Sequence, residues 1–298
     1  MDTKSTIGVV TVLYNSAPVL PGFILSLQSQ TYSRWTLYAV DNASEDNAVE
    51  MLRGSEQRTV VIENGANLGV AEGNNIGIRA ATRDGCQFVL LLNNDTEFDA
   101  DLFARLLEAL ADSNCDMIAP KINYFDHPDT IWAAGGNFEA HLGYRIQHRG
   151  MDQPDDGSFD QQCRISYAPT CCVLIRAEVF ERVGLMDAQY FVYGDDVDFM
   201  YRAMMAGITM LYLPTARLLH KVHSSTGGSS SFTLYYCTRN RIYFLRKNLG
   251  FFTSMAWIFV YELYFVGRFV LHCDQVSAFK LKQKALWSGL QMQLPYNN

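Results

Sequence analysis

The first third of the chain alternates short apolar runs with a segment of helical periodicity. Each apolar run has the length of a strand and ends in polar residues. Between the first two runs, residues 18–30 carry apolar side chains at helical spacing. Strands that alternate with helices are typical of βαβ units and a parallel sheet. The predicted strands are 7–14, 36–40, 60–63 and 88–92.

The polar residues after the strand 88–92 are the first candidates for chemistry. They are Asn93, Asn94 and Asp95. Because α/β proteins bind ligands at the carboxyl ends of parallel strands, Asp95 is placed to meet a divalent metal that carries phosphates. The alternative is that residues 93–96 only cap the next helix. Polar residues after the first two strands favour a shared cleft over separate caps.

The middle of the chain has weaker periodicity. Residues 118–167 are rich in glycine, aspartate and aromatic side chains and predict antiparallel strands and loops, with a mobile loop at the acidic segment 152–162. A further strand is predicted at 209–213, closed by Pro214. The Ser/Gly-rich run 224–231 is either a plain connector or a lid.

Residues 251–271 form the longest apolar segment. Glu262 and Arg268 interrupt it and three lysines follow, so it is a poor candidate for a membrane-spanning helix. Two alternatives remain open. The segment is an interfacial helix on a membrane surface, where the lysines help, or it packs on the domain or in a homodimer.

Composition and charge narrow the class of protein. The 298 residues are enough for one large or two small α/β domains, and 49% of them are hydrophobic. A net charge of −7 argues against a nucleic-acid partner, which would select a basic surface. The seven cysteines follow neither a zinc nor a disulfide pattern. With no signal peptide recognised at the N-terminus, we expect a cytoplasmic protein with reduced thiols.

A second group of candidates is the acidic cluster that opens a predicted helix. Asp195, Asp196 and Asp198 crowd this segment. Like charges at close range raise the pKa of at least one carboxyl, which suits a general base. The alternative is that Asp195 or Asp196 serves as the N-cap of the helix.

His220 and His223 follow the strand 209–213. A histidine in such a position is more often structural than a ligand. With Asp95 available, however, a neutral imidazole can complete a carboxylate and phosphate shell around Mn²⁺ or Mg²⁺.

Taken in order, these motifs resemble glycosyltransferase family 2 of the GT-A fold, and particularly its rhamnosyltransferase-like members. The resemblance covers about residues 7–246. The matching segments are VTVLYN at 10–15, VDNAS at 40–44, NLGVAEGNNIG at 67–77, LLNND at 91–95, YGDDVDFMYR at 193–202, HKV at 220–222 and TRNR at 238–241.

The resemblance implies an α/β architecture with a Rossmann-like, mostly parallel central sheet flanked by helices and a C-terminal helical extension. The catalytic domain would span 1–223. Within it, a nucleotide-binding half would cover about 1–117 and an acceptor-binding half about 118–223. Residues 224–298 would form the linker and the C-terminal helical region.

The resemblance also implies how a nucleotide-sugar donor is bound. Asp41 would accept a hydrogen bond from a ring N–H, which favours uracil or thymine. Arg241 would meet the charge of the diphosphate. The residues implied to border the nucleotide are Thr11, Tyr14, Asn15, Asn67, Gly69, Asn93 and Asn94.

The metal motif departs from the family pattern. The family has Asp-x-Asp where this chain has Asn93, Asn94 and Asp95. Mn²⁺ or Mg²⁺ would then be held by Asp95, the diphosphate and His220. Asn93 offers an oxygen but no charge.

Asp196 aligns with the catalytic base of inverting family members. It would take the proton of the acceptor hydroxyl as that oxygen attacks the anomeric carbon. Asp195 stands where the family usually has Glu, and it would contact the acceptor. Trp132 either stacks on an acceptor sugar or belongs to the core.

We therefore expect an inverting, metal-dependent glycosyltransferase of bacterial surface polysaccharide synthesis. The donor would be dTDP-rhamnose and the acceptor a saccharide or lipid-linked glycan, with the enzyme in the cytoplasm or peripheral on the inner face of the membrane. The alternatives are a UDP-hexose or UDP-galactofuranose transferase, or an inactive nucleotide-sugar-binding protein.

Overall fold

The computed structural model describes residues 6–55, 58–222 and 231–295. The strands are β1 (Ile7–Leu13), β2 (Trp35–Asp41), β3 (Thr59–Glu63), β4 (Phe88–Leu92), β5 (Thr96–Phe98), β6 (Met117–Tyr124), β7 (Ile131–Ala133), β8 (Gly136–Glu139), β9 (Arg145–His148), β10 (Cys163–Ile165), β11 (Cys172–Arg176) and β12 (Met210–His220). The helices are α1 (Leu20–Gln28), α2 (Ala48–Ser55), α3 (Gly69–Arg83), α4 (Leu102–Asp112), α5 (Glu178–Val183), α6 (Asp195–Met205), α7 (Ser231–Asn248), α8 (Phe251–Val270) and α9 (Val276–Gln291).

A mostly parallel sheet forms the first half, as the alternating pattern predicts. β1 pairs in parallel with β2 and β4, and β2 pairs in parallel with β3. Val9 and Val10 of β1 are both fully buried but belong to opposite core layers. Phe23 of α1 lies in the first layer and Ile78 of α3 in the second. Helices on both faces explain the unbroken apolar runs of these strands.

The sheet continues across the predicted boundary near residue 117. Its order is β10-β12-β6-β11-β4-β1-β2-β3, with β5 paired to β12 and β7 to β6. The antiparallel strand β11 lies between β4 and β6 and pairs with both. The separate hairpin of β8 and β9 confirms the predicted antiparallel strands of the middle region. The division into two halves stays a prediction.

Two expectations about the middle region are wrong. Pro214 does not close the strand that contains it, because β12 runs on to His220 with a shift of register between Leu213 and Arg217. Such an irregularity accommodates a residue without an N–H donor. The segment 152–162, expected to be mobile, is instead anchored by a buried side chain.

That anchor is Lys121 of β6, which is 0% exposed. Its ammonium group lies 2.5 Å from a carboxylate oxygen of Asp155 and also pairs with Asp160. Asn123 donates to the same Asp155 over 3.0 Å, and the Tyr212 hydroxyl donates to the Phe159 carbonyl. A buried ammonium needs such partners, and here the acidic segment supplies them.

Glycines let α3 approach β1 closely. A Cβ at Gly77 would lie 2.3 Å from Cγ1 of Val10, and one at Gly73 would lie 2.8 Å from Val12. Only residues without a side chain permit this spacing. The helix therefore begins directly beside the carboxyl ends of the strands.

The C-terminal helices share a core with the rest of the chain. Tyr190, Tyr201 and Phe244 lie in one buried cluster, together with Ile258 of α8 and Leu286 of α9. The described helices include none that is long and apolar enough to cross a bilayer. His223 and the segment 224–230 of the predicted connector lie outside the described residues.

Candidate active site

Two loops after β1 and β2 are joined through side chains. Asn15, at φ 52°, receives the Glu45 N–H on its side-chain oxygen over 2.8 Å. Its own N–H donates to the Ser44 hydroxyl. The Ser44 N–H donates to the Asp41 carboxylate over 3.2 Å. Asp41 is thus held, 4% exposed, at the carboxyl edge of the sheet, and Tyr14, which directly precedes Asn15, is exposed.

Asn67 and Gly69 build the turn that starts α3. The Asn67 side chain accepts the Gly69 N–H over 3.0 Å. Gly69 has φ +82°, and a Cβ there would lie 2.4 Å from the Phe191 carbonyl oxygen. That oxygen accepts the Val70 N–H. The turn is therefore closed by a loop from the second half of the chain.

Asn42 is a residue whose role the motif analysis missed. Its side-chain amide donates to the Gly69 carbonyl over 3.0 Å, and its oxygen accepts from Asn64 over 2.8 Å. It is 2% exposed. Asn42 therefore holds the β2 end against the start of α3, and its only sequence signal was its place next to Asp41.

Asp95 and His220 meet as the resemblance implied. His220 Nε2 lies 3.2 Å from Asp95 Oδ1, and both residues are buried. The pairing of β5 with β12 sets this contact, since His220 lies opposite Thr96. The capping alternative is wrong, because Asp95 is followed by β5 and not by a helix. The Trp132 ring packs edge-on against His220 at 4.4 Å between centroids.

The two asparagines of the motif behave differently. The Asn94 side-chain amide donates to the Val12 carbonyl over 2.6 Å and ties β4 to β1. Asn93 is exposed, and the carbonyl oxygen of its backbone accepts from the Thr96 hydroxyl. Thr11, one residue from Val12, is buried and its hydroxyl has no hydrogen-bond partner among the described residues. Asn93 therefore faces solvent beside Asp95.

Asp95 and His220 fit a divalent cation that takes most of its ligands from elsewhere. Their 3.2 Å separation is close to the ~3 Å between neighbouring ligands of octahedral Mg²⁺. Within the described ranges, no group of three or more His, Cys, Asp or Glu side chains is arranged for a metal ion. Mg²⁺ commonly accepts one or two protein ligands together with substrate phosphates and water.

The neighbours of His220 favour its protonated form. Burial lowers the pKa of His220, but Cys171 and the hydrogen bond to Asp95 outweigh burial and raise it to about 10. Burial also raises the pKa of the Cys171 thiol. Since a metal binds neutral imidazole, cation binding at this pair must release a proton.

Asp195 and Asp196 begin α6. Gly194, at φ +82°, occupies the N-cap position, so the capping alternative for the two aspartates is wrong. Asp195 is 4% exposed, and among the described residues its Oδ2 has no hydrogen-bond partner. Burial, reinforced by the charge of Asp196, raises the pKa of Asp195 to about 8.

Asp196 receives a hydrogen bond from the Tyr167 hydroxyl over 2.6 Å. Burial raises the pKa of Asp196, while this hydrogen bond and the nearby His148 oppose part of the rise. Desolvation and the charge of Asp196 raise the pKa of the Cys237 thiol of α7 to about 11. Asp195 and Asp196 therefore form a buried acidic pair at the start of α6, in which Asp196 accepts the hydrogen bond from Tyr167.

Asp198, the third acid of the cluster, has a different role. It is fully buried and lies 2.8 Å from Arg202 and 2.9 Å from Lys247. Tyr190 and Asn248 also donate to it. Burial would raise the pKa of Asp198, but the two cations hold it below its ordinary value. Asp198 therefore joins α6 to α7 through ion pairs and hydrogen bonds.

The segment 167–171 connects the two acidic positions. Tyr167 at one end donates to Asp196, and Cys171 at the other end is a neighbour of His220. The Cys171 carbonyl accepts the Asn93 N–H over 2.9 Å. The site of Asp95 and the site of Asp196 therefore border the same short stretch of chain.

Arg241 makes contacts within the protein. Its guanidinium donates to the Gly143 carbonyl over 2.5 Å and to the Tyr261 hydroxyl over 3.0 Å. Burial lowers the pKa of Arg241. The adjacent Asn240 amide lies within 3.0 Å of three carbonyls of the turn 190–193. The predicted contact of Arg241 with a diphosphate stays a prediction.

The sheet, its flanking helices and the C-terminal helices define the GT-A class of glycosyltransferase fold. GalNAc-T7, solved with UDP, GalNAc and Mn²⁺, is similar with a TM-score of 0.63 at 18% identity, over 82% of this chain and 50% of that one. The mannosyltransferase PcManGT from Pyrobaculum calidifontis, solved with GDP-Man and Mn²⁺, is similar with a TM-score of 0.59 at 14% identity, over 97% and 89% of the two chains.

The chain belongs to glycosyl transferase family 2, because its residues 8–184 match the model of that family. The low-salt glycan biosynthesis hexosyltransferase Agl10 of Haloferax volcanii is 26% identical over 70% of this chain and 66% of its own length. The N-acetylglucosaminyl-diphospho-decaprenol L-rhamnosyltransferase of Mycobacterium tuberculosis is 25% identical over 74% and 77%. The dTDP-rhamnosyl transferase RfbF of Shigella flexneri is 23% identical over 82% and 81%. The protein is therefore a glycosyltransferase.

Proposed function

We propose that the chain is an inverting transferase that moves a sugar from a nucleoside diphosphate to a glycan hydroxyl, with Asp196 as the base. The observation that carries this proposal is the hydrogen-bonded acidic pair at the start of α6. There Asp196 is kept as an acceptor by Tyr167, and the segment 167–171 leads from it to the pair of Asp95 and His220. A proton acceptor and a cation site that border one segment are what a single displacement requires.

The proposed step is a direct displacement. Asp196 accepts the proton of the acceptor hydroxyl while that oxygen forms a bond to the anomeric carbon of the donor. The bond from that carbon to the diphosphate oxygen breaks on the opposite face, and its electron pair leaves with the nucleoside diphosphate. A cation held by Asp95 and His220 would supply charge stabilisation for this leaving group.

The donor follows from the same proposal. Asp41, held at the sheet edge by Ser44, has a carboxylate suited to the ring N–H of thymine or uracil. Two of the relatives are rhamnosyltransferases, and one of them is named for a dTDP donor. We therefore take dTDP-rhamnose as the donor, with a UDP-hexose or UDP-galactofuranose as the alternative.

The acceptor proposed is a lipid-linked glycan of envelope polysaccharide synthesis. The mycobacterial relative is named for an acceptor of this type, a sugar on a diphospho-decaprenol carrier. Asp195, whose buried Oδ2 has no hydrogen-bond partner within the described ranges, is the proposed contact for an acceptor hydroxyl. Trp132 lies against His220 and is proposed to stack on an acceptor sugar.

The decisive variant is Asp196→Asn, which keeps the shape of the side chain and removes the base. We expect a loss of at least about a hundredfold in kcat, since positioned general bases contribute about 10² to 10⁴. Nucleotide affinity should stay unchanged. The assay is transfer from dTDP-rhamnose with Mn²⁺ present.

Asp112→Asn, at the exposed end of α4, is the matched control. It should retain the activity of the natural chain. If Asp196→Asn turns over as fast as this control, Asp196 is not the base. If the natural chain and both variants bind nucleotide but transfer no sugar from dTDP-rhamnose, a UDP-hexose or UDP-galactofuranose, the inactive nucleotide-sugar-binding alternative holds instead.

A further inference from the structure

The solvent-facing side of α8 is apolar along its whole length. A helix at a protein surface normally turns its polar residues to water. Here the outward residues recur at helical spacing and expose between 38% and 86% of their surface. They are Phe252, Phe259, Leu263, Val266 and Val270. A contiguous apolar stripe of this kind marks an interaction site.

A second stripe on α9 adjoins the first. Val276, Lys280, Lys284 and Trp287 follow one another at helical spacing, and all are exposed. Trp287 and Phe259 line the same shallow groove between α9 and α8. The two stripes therefore form one surface, which we call the α8–α9 face.

The charges near this face are unequally disposed. Glu262 accepts hydrogen bonds from Gln283, and Asp274 is paired with both Arg268 and Lys282. Asp274 therefore lies between two cations, whereas Glu262 lines the groove between α8 and α9, and the two stripes themselves carry Lys280 and Lys284.

The wider charge distribution has the same sign. Residues 251–298 contain four Lys or Arg and two Asp or Glu, a net charge of +2. Because the whole chain carries −7, residues 1–250 carry −9. The positive end of this chain is therefore also its most exposed apolar part.

We infer that the α8–α9 face docks on an anionic lipid surface. Aromatic and aliphatic side chains enter the headgroup boundary while Lys280 and Lys284 meet lipid phosphates. A second copy of the chain is a poorer occupant. In a two-fold contact the same patch meets itself, which sets two exposed lysines of each copy against a groove whose acid, Glu262, is already bonded to Gln283.

Docking would bring the proposed acceptor site close to the lipid surface. The inner side of α8 contacts α7, since Tyr261 bonds to Arg241, and Cys237, one turn earlier on α7, is a neighbour of Asp196. This part of the inference rests on the proposed function, because it explains how a lipid-linked acceptor reaches Asp196. The docking itself does not depend on transfer.

Co-sedimentation of the full chain with vesicles tests the docking. One set of vesicles is phosphatidylcholine alone, and the other contains phosphatidylglycerol as well. We expect binding to the anionic set. The double variant Lys280→Gln, Lys284→Gln should partition about thirtyfold less into it, at about fivefold per lysine. Phe252→Ser with Leu263→Ser should weaken binding further.

Leu25→Ser with Met205→Ser is the matched control, because both leucine and methionine are exposed apolar residues on other surfaces. It should sediment like the natural chain. The docking is overturned if the lysine and α8 variants sediment like this control, or if the chain ignores vesicles and forms a dimer that Phe252→Ser dissociates. Loss of transfer in Asp196→Asn together with failed sedimentation would leave the proposed function standing and remove only the docking.

Discussion

Burial and the hydrogen bond from Tyr167 act in opposite directions on the pKa of Asp196. Burial disfavours a carboxylate, and the Tyr167 hydroxyl, 2.6 Å away, opposes that effect. Burial and Asp196 keep the pKa of Tyr167 far above its ordinary value, so this hydroxyl stays protonated and donates. Tyr167 is thus a positioning residue for the base.

Tyr167→Phe should shift the acid limb of the kcat profile to higher pH. Without the donor, the pKa of Asp196 rises, so at a given pH less of it is in the basic form. We expect kcat to fall about tenfold near neutrality, the cost of one hydrogen bond to a charged group, and to recover as the pH is raised. KM for the donor should not change. A pH series of initial rates measures this.

Tyr124→Phe is the control for that experiment. Tyr124 also donates a hydrogen bond over 2.5 Å to a carboxylate, but its partner is Asp152 and not Asp196. Its pH profile should match that of the natural chain. A Tyr167→Phe enzyme that is slow at every pH by the same factor would contradict the role given to Tyr167.

The motifs singled out Asp95, His220 and Asp196 as candidates, but they gave no signal for Tyr167 and Cys171, which contact them in the structure. The reason is the direction of β11. Because β11 is antiparallel to β4, the residues just before it lie at the carboxyl edge of the sheet. No periodicity in the sequence tells a parallel strand from an antiparallel one, so these neighbours of the site were hidden.

The anchored segment 152–162 shows how an element can be held by one buried charge. Lys121→Met should destabilise the protein by about 3 kcal/mol in the free energy of unfolding, because it leaves Asp155 buried without its cation. Faster limited proteolysis between 152 and 162 should accompany the loss. Urea denaturation and a protease time course measure the two effects.

Arg53→Met provides the comparison, since the ion pair of Arg53 with Glu63 is exposed on both sides. Its free energy of unfolding should stay within about 0.5 kcal/mol of the natural chain. Equal stability of the two variants would mean that Lys121 does not anchor the segment.

At the scale of elements, the apolar runs placed β1, β2, β3 and β4 within a residue of their observed limits. The two errors, at Pro214 and in 152–162, have one cause. Each outcome depends on a contact with β6, which is distant in sequence from both segments. β12 pairs with β6 on both sides of its register shift, and Lys121 of β6 binds Asp155 in the segment 152–162. Local composition carries no information about such a partner.

Nucleotide binding should stabilise the whole molecule through the Asp95 and His220 pair. A ligand at a hundred times its Kd adds about 2.7 kcal/mol to the free energy of unfolding. We expect dTDP or UDP with Mn²⁺ to raise the Tm of the natural chain. In Asp95→Ala and in His220→Ala, the part of the rise that depends on Mn²⁺ should disappear.

The control variants are Asp126→Ala and His127→Ala, which change the same residue types at exposed positions. Each protein is compared with its own Tm in chelator. An equal loss of nucleotide response with and without Mn²⁺ would show that the pair supports the fold of the site and holds no cation.

The place of β11 limits how this protein can be recombined with its relatives. β11 (Cys172–Arg176) pairs with β4 on one side and with β6 on the other. It therefore connects the sheet of the early strands to that of the middle region. A chimaera joined near residue 117 would pair β4 from a relative with β11 from this protein. A graft of the early strands that keeps these pairings therefore requires residues 1–117 and residues 167–176 to be transplanted together.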